Sequence, residues 1–256
     1  MKMTFPLSFQ ALRKSGRKAA AVAMAAVLLA ACAPPPPQPG LNDPFEQTNR
    51  AFHGFNRGLD RALVRPSSKI YGAVLPQPVQ TGIANFASNL SLPGDAANGA
   101  LQGNPERFVT NVLRFALNTT VGIGGLFDPA GALGIHRDKT DFGETLHVWG
   151  AGEGAYLEFP GLGPSTVRDA VGTAVDIAAN PVGMVLASPE KYYATAAKVG
   201  SKLGDRNRYS STIDSVLYDS ADSYAQTRLL YLQNRRFELG QTDAGTGDDF
   251  IDPYAD

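Results

Sequence analysis

Apolar positions recur at helical spacing through most of the chain, and this pattern predicts a mainly α protein. Phe45, Phe52, Phe55, Leu59 and Leu63 fall on one helical face. Ahead of them, Asp43-Pro44-Phe45-Glu46 has the form of a helix start: an acceptor for the N-cap, proline in the first turn and glutamate at the third position. Asn49 and Asn56 land on the same face as the phenylalanines. They read either as buried asparagines satisfied by backbone groups, or as groups that hold a neighbouring loop or face a polar cavity. A second stripe runs from Val79 to Leu90 through Ile83 and Phe86. A third helix starts at Asn104-Pro105-Glu106, where Arg107, Asn111, Arg114 and Asn118 make one polar strip. Phe108, Val109, Val112, Leu113, Phe115 and Ala116 fill the rest of its surface, more apolar area than a single packing contact needs. Near the end, Tyr224, Ala225, Leu229, Tyr231 and Leu232 share a face of a long helix. Arg235 and Arg236 suit its C-terminal dipole, and Gly240 can stop it. Alternating runs are few, and Tyr156 to Phe159 is the best strand candidate.

Two stretches carry too little charge for ordinary surface. Between Arg114 and Arg137 the only charge is Asp128, in a glycine-rich sequence; between Asp169 and Glu190 the only charge is Asp176. Neither is a transmembrane helix, because glycine and proline interrupt both. They read as buried loops and short helices, or as short segments sitting in one leaflet. Between them Trp149 to Pro164 is a glycine- and proline-rich loop, expected to form a hairpin turning at Pro160-Gly161-Leu162-Gly163.

The ends of the chain change the picture. Arg13, Lys14, Arg17 and Lys18 precede an uncharged run from Ala19 to Ala31, too short for a spanning helix but suited to the apolar core of an export signal. The run ends Leu29-Ala30-Ala31-Cys32, which resembles the bacterial lipobox, with Cys32 as the lipidated first residue of the mature chain. It is the chain's single cysteine, so no disulfide is expected. The domain organisation is therefore read as a signal peptide over 1–31, a Pro-rich tether over 32–41, a helical domain over 42–240 and a disordered acidic tail over 241–256. The tether's prolines favour an extended chain of roughly 3 Å per residue, and Ala33 beside the cysteine, by resemblance to other lipoproteins, favours the outer membrane. Five of the 23 basic residues precede Cys32 and none of the 24 acidic ones does, so the mature chain carries about −6. No basic run survives cleavage, which argues against nucleic acid.

The search for chemistry finds little. His53, His136 and His147 have no metal-ligand spacing, and no G-x-S-x-G elbow occurs. The glycine clusters at 122–125 and 150–154 lack the strand, helix and acid of a dinucleotide site, and no Walker lysine follows them. No catalytic residue, metal or cofactor is expected.

One ordered string of motifs remains: Asp43-Pro44-Phe45-Glu46 with Asn49-Arg50, Asn56, Val64-Arg65-Pro66, Pro76-Gln77-Pro78-Val79, Asn85-Phe86 with Asn89-Leu90, and Leu101-Gln102-Gly103-Asn104-Pro105. Arg114-Phe115 with Leu117-Asn118-Thr119, Gly122 to Gly131, Phe142-Gly143 with Thr145-Leu146, the glycines at 150, 152 and 154, and Arg168-Asp169 complete it. Over Asn42 to Gly240 the chain resembles the MlaA (VacJ) outer-membrane phospholipid-transport lipoproteins. The match loosens around Met184 to Ala197 and in the tail. The resemblance implies a ring-like bundle of amphipathic and short helices in one membrane leaflet, with a Gly/Pro-rich hairpin and an amphipathic channel at its centre. It implies removal of misplaced glycerophospholipids from the outer leaflet of the outer membrane and their transfer to an MlaC-like periplasmic lipid carrier, beside a trimeric porin. It implies no covalent chemistry. The channel and gate candidates are Asn49, Asn56, Asn118, Gly152, Gly154, Gly161, Gly163, Arg168 and Asp169, with the loop Gly150 to Pro164 bordering and gating the pore. The alternative is an envelope scaffold with a packed, poreless core.

Overall fold

The computed structural model of the chain describes residues 42–185 and 190–241. The signal, Cys32, the tether and all of the acidic tail beyond Gln241 lie outside the described residues. The fold is mainly helical. Helix α1 (Glu46–Leu59) runs through a π turn (Asp60–Val64) directly into α2 (Arg65–Val74). Then come α3 (Gln77–Asn89), α4 (Leu92–Leu101), α5 (Pro105–Thr120), the short α6 (Pro129–Ala132) and α7 (Phe142–Val148). An antiparallel hairpin of β1 (Tyr156–Phe159) and β2 (Gly163–Thr166) follows, with Tyr156 opposite Thr166. The chain continues through α8 (Val167–Ala178), α9 (Pro181–Val185), α10 (Glu190–Arg208), α11 (Ser210–Asp214), a second π turn (Ser215–Asp219) and α12 (Ser223–Glu238).

Local chemistry accounts for most starts. Asn104 caps α5 by accepting from the Arg107 amide at 3.0 Å, with Pro105 in the first turn. Asp141 does the same for α7, Asp222 for α12 and Thr166 for α8. The start of α1 differs from expectation. Phe45 holds the cap position and no side chain caps it. Asp43 is turned inward instead, accepting from Asn49 at 2.9 Å and from Tyr224 and Arg228 of α12. Pro66 is tolerated just after the first π turn, where the backbone register is already shifted. The expected hairpin is present but displaced: its strands span 156–166, and residues 150–155 lead into it as a loop. The turn falls at Pro160 to Leu162, and Gly161 and Gly163 both take positive φ, 75° and 86°, which only glycine adopts cheaply.

Packing neighbours form a closed circuit. The α1 helix packs on β1, the hairpin on α8, α8 on α7, α7 on α4 and α4 on α5; α5 touches α3, α3 packs on α10, and α10 returns to α2. The α12 helix braces the circuit from β2 and the second π turn. The α7 and α8 helices cross closely. A Cβ on Gly172 would lie 2.6 Å from the Gly143 Cα and 3.0 Å from the Phe142 carbonyl carbon, so two glycines set how closely the helices approach.

The polarity of this ring is inverted. Among the described residues, 18 polar or charged side chains are buried against seven apolar ones, while 27 large apolar side chains are exposed. Ordinary domains bury Leu, Ile, Val and Phe and keep Asp and Arg outside. Here Phe55, Leu63, Ile70, Val74, Val112 and Ile177 face outward. On α5 the strip Arg107–Asn111–Arg114–Asn118 faces inward while Phe108, Val109, Val112 and Leu113 are exposed. Among the described residues no helix is long and apolar enough to cross a membrane.

Candidate functional site

The interior is held by hydrogen-bonded hubs, most of which join segments far apart in sequence. At the first, Asn49 accepts from the Glu158 amide at 3.0 Å and donates to the Tyr156 carbonyl at 3.1 Å, so its amide completes the free edge of β1. One turn pair along, Asn56 donates to the Phe159 carbonyl at 2.9 Å and accepts from the Gly161 amide at 2.7 Å. His53, between them on α1, meets Glu158 at 3.1 Å and Ser223 at 3.0 Å. The two asparagines therefore satisfy backbone groups and hold a loop at the same time. They also bring Asn56, Gly161 and Gly163 to one end of the hairpin.

At the second hub Asp128, the lone charge of its stretch, receives Arg114 at 2.9 Å, Asn118 at 2.8 Å and the Gly131 amide at 3.0 Å. Asn118 also accepts from the Ala130 amide at 3.1 Å, and Arg114 reaches the Ile135 carbonyl. Burial pushes the Asp128 carboxyl up, but Arg114, Gly131 and Asn118 together leave it below its ordinary value. The third hub is Asp169, which accepts from Thr166 and Tyr231 at 2.9 Å and from Arg235 at 3.0 Å. Burial acts upward on this carboxyl too and is outweighed, chiefly by Arg235. Arg168 beside it is 1% exposed. Its Nε lies 3.4 Å from Asp169, and its two terminal nitrogens have no hydrogen-bond partner among the described residues. A fourth hub spans the two π turns: Arg206 grips Asp60 through two 2.8 Å bonds and reaches Asp214 at 2.6 Å. Removing one partner from such a buried pair costs about 3–5 kcal/mol.

Inside the arc made by the end of α3, α4, α7, the end of α8, α9 and α10 lies a cavity of about 300 Å³. Its apolar wall includes Leu90, Leu101, Phe142, Val175 and Pro181. Five charged residues complete it: Asp95, Arg137, Lys139, Asp176 and Lys198. Arg137 donates to Asp95 at 2.6 Å and to Ser88 at 3.1 Å. Burial holds the Asp95 carboxyl above its ordinary value despite that bond. Asp176 accepts from Asn98 at 3.0 Å and from the Phe142 amide at 2.9 Å. Such a cavity, part apolar and part charged, suits an amphipathic ligand. Among the described residues no group of three His, Cys, Asp or Glu is placed to hold a metal ion.

None of the nine channel and gate candidates lines this cavity. Asn49, Asn56, Gly161 and Gly163 belong to the hairpin, Asn118 to the Asp128 hub, and Arg168 and Asp169 to the third hub. Gly152 and Gly154 lie in the loop before β1. Gly163 borders a separate apolar pocket with Phe159, Leu162 and Ile177. The sequence reading missed Asp95, Arg137, Lys139 and Lys198 as cavity residues, and the one signal it held was Asp176, isolated in an apolar stretch.

The profile of a family described as MlaA lipoprotein matches residues 41–238. A protein of Shigella flexneri named intermembrane phospholipid transport system lipoprotein MlaA is 35% identical over 207 residues, 78% of this chain and 79% of its own. Its counterpart of the same name in Escherichia coli K12 is 34% identical over the same shares, and an uncharacterized protein of Rickettsia bellii is 35% identical over 75% of each chain. A solved chain from work on the structural basis for maintenance of bacterial outer membrane lipid asymmetry is similar at a TM-score of 0.66 with 31% identity. That similarity covers 77% of this chain and 98% of the solved one.

Proposed function

The chain belongs to the MlaA lipoprotein family, and from that premise we propose that it takes misplaced glycerophospholipids out of the outer leaflet of the outer membrane. They pass through the ring's cavity to a periplasmic carrier protein, and the asymmetry of the membrane is thereby maintained. Cys32 carries the lipid anchor, the ring lies in the periplasmic leaflet beside a trimeric porin, and no bond of the lipid is made or broken. The observation that carries this reading is the inverted polarity. An apolar belt of side chains such as Phe55, Ile70 and Val112 suits acyl chains outside, while the interior presents hydrogen-bonding and charged groups. A charged headgroup moved through hydrocarbon costs several kcal/mol if unshielded. A cavity lined both by charged groups and by Leu90, Leu101 and Phe142 lowers that cost without chemistry. Gly152, Gly154, Gly161 and Gly163 are the gate candidates of this proposal, at the loop and hairpin on the α1 side of the ring.

Gly94 gives the test. It lines the cavity within α4, and nothing lies within 4 Å of where its Cβ would be. Gly94→Trp therefore places its Cβ in open space, adds an indole at the cavity wall and replaces a helix-weakening glycine. The variant should melt no lower than wild type, yet cells carrying it should accumulate outer-leaflet phospholipid, read by a phospholipase that acts only there. Wild-type asymmetry in a stable, correctly located Gly94→Trp protein would refute the route through this cavity. Purified protein free of co-extracted phospholipid would favour an envelope scaffold.

A further inference from the structure

The cavity's charges are not equivalent, and the difference bears on which lipid it takes. Both carboxylates are occupied: Asp95 by Arg137, and the two oxygens of Asp176 by Asn98 and the Phe142 amide. Arg137 is likewise committed to Asp95 and Ser88. The other two cations make no such bond, although the Lys139 charge acts on Asp95. Lys139, from the segment before α7, and Lys198, from α10, both line the cavity and are exposed, and neither makes a hydrogen bond or ion pair with any described residue. Three cations against two carboxylates leave the cavity with net positive charge, concentrated on two elements from different parts of the ring.

From this arrangement we infer that Lys139 and Lys198 read the headgroup, and that the cavity selects glycerophospholipids of net negative charge over zwitterionic ones. This rests on the transport reading above. Every glycerophospholipid brings a phosphate that two ammonium groups can hold as point charges. A zwitterionic headgroup adds an ammonium of its own. It meets two lysines, and no carboxylate in the wall is free to receive it. A glycerol headgroup brings no such charge, and its hydroxyls can accept from either lysine. The discrimination is modest, because exposed ion pairs contribute only about 0.2–1 kcal/mol each, so an enrichment of about threefold is expected.

The experiment incubates the full-length lipoprotein in detergent with mixed micelles holding equal amounts of phosphatidylglycerol and phosphatidylethanolamine, and measures the ratio in the protein-bound fraction by mass spectrometry. Wild type should be enriched about threefold in phosphatidylglycerol. Lys139→Gln with Lys198→Gln should bring the ratio to about one, and Lys139→Glu with Lys198→Glu should invert it. Both side chains are unbonded, so these changes leave the fold in place, which melting curves check. A wild-type ratio of one, or enrichment that survives in the double glutamine variant, overturns the inference while leaving transport untouched. Enrichment that persists in Gly94→Trp also overturns it, because the lipid is then held on the outer belt. Absence of any bound lipid in wild type counts instead against the transport reading on which the inference stands.

Discussion

Asn49→Asp changes one terminal group and tests whether the ring's inner wall is built from directed hydrogen bonds. The wild-type amide donates to two acceptors, the Tyr156 carbonyl at 3.1 Å and the Asp43 carboxylate at 2.9 Å, and accepts from the Glu158 amide at 3.0 Å. Aspartate keeps the last bond and loses both donations. The side chain is 2% exposed, so water cannot replace them. A neutral bond is worth about 1 kcal/mol and one to a charged group about 2 kcal/mol, so the loss is about 3 kcal/mol before the repulsion between two carboxylates is added. For a domain of this size that lowers Tm by about 6–12 °C. The assay is thermal unfolding in detergent followed by circular dichroism, with hydrogen exchange of the hairpin amides. The Glu158 amide should stay protected in the folded variant while the melting temperature drops. A Tm within about 2 °C of wild type would refute the reasoning, since the inward amide would then be dispensable to β1.

Three further outcomes are expected. Gly172→Ala drives a methyl into the α7 backbone at Gly143, and overpacking of this kind costs about 1–3 kcal/mol; an unchanged melt would show that α7 and α8 do not cross where described. Acid should unfold the ring: burial pushes Asp60, Asp128, Asp169 and Asp214 up, but the hydrogen bonds and charges around each, an arginine's first, together leave it below its ordinary value, and Asp222 is drawn down to about 2, first by Arg50 and then by the Ala225 amide. Depressed carboxylates contribute stability above their unfolded value and lose it as pH falls through the folded one, so the main fall in Tm should come between about pH 4 and 2, after a smaller loss that begins below about 6.5, where the His147 imidazole, held low by burial, is forced to protonate; Asp95 acts the other way, and a Tm maximum near pH 3 would contradict this. Finally, Cys32→Ala should abolish incorporation of radiolabelled palmitate, and labelling of that variant at the wild-type level would remove Cys32 as the anchor.

The elements were legible where local chemistry decides them. Asn104-Pro105 marks α5, Tyr156–Phe159 is β1 as expected, and Gly240, at φ 68°, follows the last helix. Asp43 misled because its cap pattern is local, whereas its partners, Tyr224 and Arg228, are more than 180 residues away. The candidate asparagines were found because two polar residues on a phenylalanine face break the expected period. What could not be read was which charges meet. Asp60 with Arg206, or Asp95 with Arg137, are pairings of tertiary structure that no spacing announces. The two isolated charges were the better guide: Asp128 organises one hub and Asp176 lines the cavity. A carboxylate left in an apolar stretch must find donors, and the donors gather where the interior is polar.

The inverted polarity of the ring also fixes its thermodynamic character. Among the fully buried side chains of the described residues Asn, Asp and Arg outnumber Leu and Phe, so less apolar surface is sealed off on folding than in an ordinary domain. The heat capacity of unfolding, which grows with newly wetted apolar area and shrinks with polar area, should accordingly fall below that of an ordinary domain of this length. A small heat capacity flattens the curve of stability against temperature and moves its cold limb far below freezing. The ring's tolerance of heat and chill is thus set more by ion pairs and amide bonds than by the sealed apolar interior that does this work elsewhere.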